Sequence, residues 1–282
     1  MSIQNFIENE ERYFAPMLER QKKATEEEKL MWRTENVHQR RQRVSLELFQ
    51  TLQGKVTFGP FKDLLLTQDS WWGKSDLGSM LLGLYEKEIL DFIDNDKEHQ
   101  FNTFIDIGAA DGYYACGMLL SKKVQHAICF EQSEHGREVI AANWHRNGAP
   151  GELQVFGEAN SESLSLIKNI DFHKTLILID IEGAEFDVLN ENFVEKIQGA
   201  TIIIEVHNWV ENFLEKYRNL LKIFDKYFNV DTLERVERPT AHLDILRDFT
   251  DDNRLLLTSE ARPCLMRFLI LTPKDKVNKP VK

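Results

Sequence analysis

Phe104-Ile105-Asp106-Ile107-Gly108-Ala109-Ala110-Asp111-Gly112-Tyr113-Tyr114 decides the fold. An apolar run ends in a turn bounded by glycines and opens at once into a helical pattern, the junction where an α/β sheet brings its backbone close to a ligand. Outward from it, Phe101 to Ile107, Ala127 to Glu131, Leu153 to Phe156, Leu176 to Ile181 and Ile202 to Val206 read as short strands. Helices are expected between them at Tyr113 to Ser121, Glu134 to Arg146, Glu185 to Ile197 and, after the last, Val210 to Tyr227. This alternation predicts βαβ units and a parallel sheet covered on both faces. Two more strands are expected at Asn229 to Leu233 and Arg267 to Thr272. The stretch 234–266 lacks clean periodicity and reads as a long functional loop.

Upstream the texture differs. Residues 1–53 carry nine Glu, nine Lys or Arg, no Asp, no Gly and one Pro, so the segment is neutral. Its apolar residues recur at helical spacing, which predicts two amphipathic helices packed on the body or on a second copy of the chain. Lys55 to Phe58 and Phe61 to Thr67, parted by Gly59-Pro60, resemble a hairpin, and Trp71-Trp72-Gly73 precedes a helix from Leu77 to Ile93. The expected division is an N-terminal helical extension (1–53), a connecting hairpin and helix (54–100) and the sheet domain (101–282).

The 282 residues include 35 Lys and Arg against 46 Asp and Glu, a net charge of −11, with 42% hydrophobic residues. An acid excess repels phosphate backbones and anionic lipid, which argues against a broad nucleic-acid or membrane footprint. Thr175 to Ile181 and Thr201 to Val206, the longest apolar runs, fall far short of the roughly 20 residues that span a bilayer. The acidic N-terminal region does not read as a cleavable signal. Cys116, Cys129 and Cys264 have no paired spacing, and a cytoplasmic protein is expected.

The acids at the strand ends choose between ligands. A dinucleotide would place its pyrophosphate at the helix N-terminus after Gly112, where Asp111 repels it, and Ala110 stands where the dinucleotide fingerprint has its middle glycine. S-adenosylmethionine carries a sulfonium and an ammonium and no phosphate, so the acidic turn favours it. Asp106, Gly108, Ala110, Asp111, Gly112 and Tyr113 form its expected cradle. Glu131, 19 residues beyond Gly112, is placed to accept the ribose hydroxyls, or is an ordinary solvated carboxylate. Glu158 and Ala159, in the turn after the third strand, either border the adenine or form a plain turn. Asp180-Ile181-Glu182-Gly183-Ala184-Glu185 and Glu205-Val206-His207-Asn208-Trp209 close the next two strands. Proline-free and charged, these edges suit orienting or deprotonating a hydroxyl.

Those three segments together resemble the FkbM-type family of S-adenosylmethionine-dependent methyltransferases, over roughly Leu84 to Pro273. The resemblance implies a Rossmann-like methyltransferase sheet, mostly parallel with an antiparallel C-terminal strand, and O-methylation of a sugar or natural-product hydroxyl. Asp251-Asp252-Asn253-Arg254 and Ser259-Glu260-Ala261-Arg262-Pro263 are similar to substrate-side loops of members tied to glycan synthesis.

His207 is the expected base, since imidazole titrates near neutrality, or else a histidine hydrogen-bonded for structure. Asp180, which also borders the cofactor, and Glu182 would hold the hydroxyl, act as base, or share a divalent cation of the magnesium type with His207. Trp71, Trp72 and Trp209 offer faces for a sugar ring, or pack as core or lid. The leading expectation is an O-methyltransferase acting on a sugar, glycan or related small molecule. The alternatives are an inactive cofactor-binding scaffold that docks a partner enzyme through its N-terminal helices, and a dinucleotide oxidoreductase, which Asp111 disfavours.

Overall fold

The computed structural model describes residues 3–95, 100–260, 262 and 264–274; Ala261 and Pro263 of the second C-terminal patch lie outside the described residues. Three helices come first, α1 (Ile3–Lys23), α2 (Glu26–Thr34) and α3 (Val37–Leu52), where apolar spacing predicted two. The extra break has a local cause. Thr25 with Glu28, and Asn36 with Gln39, close reciprocal capping boxes that start a helix at each point.

The expected hairpin is reduced to one antiparallel bridge between Lys55 and Leu65. The bridge is held by the Val56 N–H on the Leu64 carbonyl and the Leu66 N–H on the Gly54 carbonyl, while on the outer edge the Asn147 side-chain amide takes both the N–H and the C=O of Leu65 at 2.8 Å. The helix expected from Leu77 to Ile93 divides into α4 (Leu77–Leu81) and α5 (Lys87–Asn95). Gly83 makes the break at φ +63°, and any Cβ there would stand 2.2 Å from the Phe58 carbonyl oxygen.

The sheet region follows the predicted alternation: β1 (Thr103–Ile107), α6 (Tyr113–Leu120), β2 (His126–Phe130), α7 (Glu134–Arg146), β3 (Glu152–Phe156) and β4 (Thr175–Ile179). Next come α8 (Glu185–Val188) and α9 (Glu191–Lys196), two short helices where one was expected, the second started by the Asn190 cap. The chain continues through β5 (Thr201–Val206), α10 (Phe213–Tyr227), β6 (Phe228–Leu233), α11 (Asp251–Leu257) and β7 (Arg267–Pro273). The stretch expected to be an irregular loop thus contains α11, capped by Thr250.

These strands form a single seven-stranded sheet in the order β3-β2-β1-β4-β5-β7-β6. Neighbours from β3 to β5 pair in parallel, and β7 runs antiparallel to both β5 and β6. This is the Rossmann-like sheet expected from the sequence. Alternate strand residues feed opposite cores, as a two-residue period requires. Phe104, Ala127, Cys129, Leu176 and Leu178 pack toward α6, while Ile105, Ile107, Ile128, Ile177, Ile179 and Ile204 pack toward α9 and α10.

A third apolar cluster joins the N-terminal helices to the late chain. Val44 and Leu48 of α3, fully buried, pack with Leu82, Leu84, Leu243, Leu246 and Leu257. Beside it, the buried Arg41 guanidinium is paired with Asp76 at the head of α4. By contrast α1 buries no side chain, and Ile3, Phe6, Phe14 and Leu18 are exposed. Removing one partner of a buried ion pair strands the other charge in low dielectric, at a cost of about 3–5 kcal/mol. Arg41→Ala is therefore expected to lower the unfolding free energy from urea titration by that order, and Arg41→Ala/Asp76→Ala to lower it by less than the two single variants summed.

Candidate active site

Register builds the site. Ile107 lies opposite both Phe130 and Ile179, and Ile179 opposite Ile204, so the next residues along, Gly108, Glu131, Asp180 and Glu205, stand in a row at the carboxyl edge of the sheet. Gly108 must be glycine there. Its φ is +93°, and a Cβ would fall 1.7 Å from the Asp180 carbonyl oxygen. The close approach of the β1 and β4 ends opens a cavity above them at the point where strand order reverses.

About 950 Å³ of space, open mouth included, lies within walls that contain Asp106, Gly108, Ala110, Asp111, Tyr113, Glu131, Glu158, Ala159 and Asp180. Nine of the ten residues assigned to the cofactor from sequence therefore line one cavity. Gly112 does not; at φ +73° it starts α6 behind the wall, with Ile140 against it. Glu182 also lines the cavity, as do Trp71 and Trp72.

Each acid is held differently. Glu131 accepts the Ala110 N–H at 2.9 Å and the Ser133 N–H at 2.7 Å, tying the β1 turn to the start of α7. Asp111 accepts the Ser70 hydroxyl and, at 3.0 Å, the Trp71 N–H, so it fixes the tryptophan wall as well as facing the cavity. Asp106 is 2% exposed, and its Oδ2 has no hydrogen-bond partner among the described residues. Burial, reinforced by the charges of Asp180 and Glu131, pushes its carboxyl up to about 8.

His207 sits differently from expectation. It is fully buried and is absent from the cavity wall. Glu185, also fully buried, accepts its backbone N–H at 2.9 Å and faces Nδ1 at 3.2 Å, while the second oxygen of Glu185 accepts the Gly183 N–H. Nε2 points at Asp180 Oδ1 (3.4 Å) and Glu182 Oε2 (3.6 Å). Burial alone would lower the imidazole, yet hydrogen bonds and charges from Asp180 and Glu185 outweigh it and push His207 up to about 10. Trp209 packs on the ring at 4.8 Å between centroids, away from the cavity wall.

Three residues outside the expected cofactor and catalytic set enter the site, one of them, Arg262, from the patch similar to substrate-side loops. Glu86, 3% exposed, lines the cavity, accepts the Tyr114 hydroxyl at 2.7 Å and is shifted upward by burial and the Asp180 charge. Arg262 reaches it at 3.1 Å and also pairs with Glu205 and Glu260. Glu185 was visible as part of the Asp180–Glu185 run. Nothing local marks Glu86, whose partners lie 28 and 176 residues away.

Residues 160–247 match the family model described as the methyltransferase FkbM domain. The likeness is to the FkbM methyltransferases. That FkbM-type segment contains Asp180, Glu182, Glu185, Glu205 and His207. Among solved structures, the methyltransferase FkbM from Methylobacillus flagellatus KT is 13% identical, with 80% of this chain and 58% of that chain covered and a TM-score of 0.44. The YcgJ protein from Bacillus subtilis is 12% identical over 67% of this chain and 99% of its own, at a TM-score of 0.42. An rRNA methylase from Streptococcus thermophilus is 9% identical over 62% and 88%, at 0.41. No curated protein matches the sequence.

The raised Asp106 carboxyl makes a prediction with a definite sign. Between its ordinary 3.8 and about 8 the folded protein holds a proton that the unfolded chain releases, so this group's contribution to stability falls as pH rises through that window. Asp106→Asn removes the fall. Its Tm should exceed that of the parent by at least about 2–4 °C at pH 8, the shift that ~1 kcal/mol produces in a domain of 150–250 residues, and the gap should close toward pH 4. Parallel melting curves at every pH would instead place the Asp106 carboxyl in contact with water.

Proposed function

We propose that the chain is an S-adenosylmethionine-dependent O-methyltransferase acting on a hydroxyl of a sugar, glycan or related small molecule. The observation that carries this reading is the acid-lined cavity at the β1/β4 switch point, in which Asp111 stands where a dinucleotide would need to place phosphate. The donor set fits a cationic nucleoside. The buried, unpartnered Oδ2 of Asp106 would face an ammonium once the carboxyl gives up its proton, and the remaining lone pairs of Glu131 suit ribose hydroxyls. The cofactor supplies an electrophilic methyl group on a sulfonium. Everything else is positioning, which contributes up to about 7–11 kcal/mol in ideal cases.

The acceptor oxygen would gain the methyl as the sulfonium's carbon–sulfur bond breaks and a neutral thioether leaves, and would lose its proton to the protein. We assign that proton to Glu182, with Asp180 beside it; both line the cavity, whereas His207 lies behind them with no exposed surface. His207 then acts as a positioning residue that fixes both carboxylates from below. Glu182 adopts φ +55°, a conformation rare for a non-glycine residue, which turns the chain at the cavity edge. A second reading of the same corner has a specific observation behind it. Asp180, Glu182 and His207 each offer a ligand atom within 4.8 Å of the others, an arrangement that also suits a divalent cation of the magnesium type.

Two variants separate binding from chemistry. Glu131→Ala is expected to weaken S-adenosylmethionine by about 1–3 kcal/mol in calorimetric titration, since it removes the acceptor of the ribose hydroxyls. Unchanged affinity in the folded variant would refute the ribose assignment. Glu182→Gln should keep cofactor affinity and lose roughly 10²–10⁴-fold in transfer of labelled methyl to sugar acceptors. Loss of turnover on chelation and its return with Mg²⁺ would favour the cation. Cofactor binding with no turnover on any hydroxyl acceptor would favour the scaffold.

A further inference from the structure

A second depression lies along the same edge of the sheet. Val206 pairs with Arg267 and Leu233 with Phe268, so the end of β5, the start of β7 and the end of β6 all open on the side that carries the cavity. The groove there holds four arginines, Arg235, Arg238, Arg262 and Arg267, against three glutamates, Glu88, Glu234 and Glu260. Its lining thus carries one more arginine than glutamate in a chain of charge −11.

The charges are not equally committed. Arg238 is paired with Glu88 and Glu260, and Arg262 with Glu86, Glu205 and Glu260, so these two hold the framework. Glu234 accepts the Thr232 hydroxyl at 3.0 Å. Arg235 and Arg267 are exposed, and their guanidinium groups have no ion pair or hydrogen bond among the described residues. Near Arg267, Phe213 and Tyr217 stack on each other, 5.3 Å between centroids and 14° between planes, and both line the groove with aromatic surface. Two uncommitted guanidinium forks next to an aromatic face match the chemistry of a phosphate ester attached to a ring.

The groove also adjoins the proposed methyl-transfer site. Asn208 lines the groove and directly follows His207, which touches Asp180 and Glu182. From the other side, Arg262 lines the groove while its guanidinium reaches Glu86 in the cavity wall.

Resting on the methyltransferase reading, we infer that the acceptor is a phosphorylated or nucleoside-diphosphate-linked sugar, its phosphate held by Arg235 and Arg267 and its ring packed toward Phe213 and Tyr217. This deepens the sugar-hydroxyl proposal by naming the group that carries the sugar. It is compatible with the low net affinity for nucleic acid expected from charge, because the arginine excess is local.

The test titrates inorganic pyrophosphate, uridine diphosphate and glucuronate in turn into the full-length protein by calorimetry at low ionic strength, with S-adenosylmethionine titrated separately. Pyrophosphate and uridine diphosphate are expected to bind, and Arg235→Gln/Arg267→Gln is expected to weaken both about tenfold or more, the loss of one to two charge-assisted hydrogen bonds. Cofactor affinity should not change in that variant, since neither arginine lines the cofactor cavity. Tighter binding of uridine diphosphate than of pyrophosphate assigns the aromatic wall to the nucleoside; equal binding assigns recognition to the phosphates, and both support the inference. No binding of either phosphate, equal binding to parent and variant, or binding of glucuronate alone would overturn it. Loss of S-adenosylmethionine binding in the parent would instead sink the cofactor reading, a separate result.

Discussion

Carboxylates crowded into low dielectric are the constraint around which this protein is arranged. Glu86, Asp106, Asp111, Glu131, Asp180 and Glu182 line one cavity, and Glu185 and Glu205 lie buried behind it. Unpaired charges in such a place are costly, so each acid needs a donor. Backbone N–H groups serve Glu131 and Glu185, a serine hydroxyl and a tryptophan N–H serve Asp111, and Arg262 and His207 supply the positive charge on the β5 side. The shape of the surrounding turns follows from where those donors must be. The Oδ2 of Asp106 is left without one, and burial answers by raising that carboxyl.

Elements far from the cavity serve the same arrangement. Arg41 pairs with Asp76, which closes the segment whose Ser70 and Trp71 are bound by Asp111. The late segment contributes Glu260, which accepts the Glu86 N–H at 2.9 Å while pairing with Arg238 and Arg262. Helices before the sheet and a strap after it are thus fastened to the same wall by charge as well as by the Val44, Leu48, Leu246 and Leu257 cluster.

The strands and their order of use were legible because burial on both faces leaves a plain apolar run, and Gly108 because a turn between two close strand ends admits no side chain. The capping boxes at Thr25 and Asn36 were also present in the sequence, but apolar spacing alone runs across them and gives one helix fewer. The expected hairpin shrinks to the single Lys55–Leu65 bridge, whose outer edge is tied to the body by the Asn147 amide. At the site, His207 was recognisable as a strand-end residue, but its exposure was not; whether a side chain at such an end looks into the crevice or under it depends on Glu185 pulling it inward from α8. Glu86 had no local signature because Tyr114 and Arg262 alone make it part of the wall.

The glutamate and aspartate lining has a kinetic side. A mouth ringed by one sign of charge and walled by apolar surface focuses its field outward, so a cationic ligand is drawn in faster than diffusion over a neutral surface would bring it. Dissolved salt shortens the reach of that field to about 10 Å at 0.1 M. The arrival rate of such a ligand is therefore set partly by the ionic strength of its surroundings, while its departure depends on the short contacts inside.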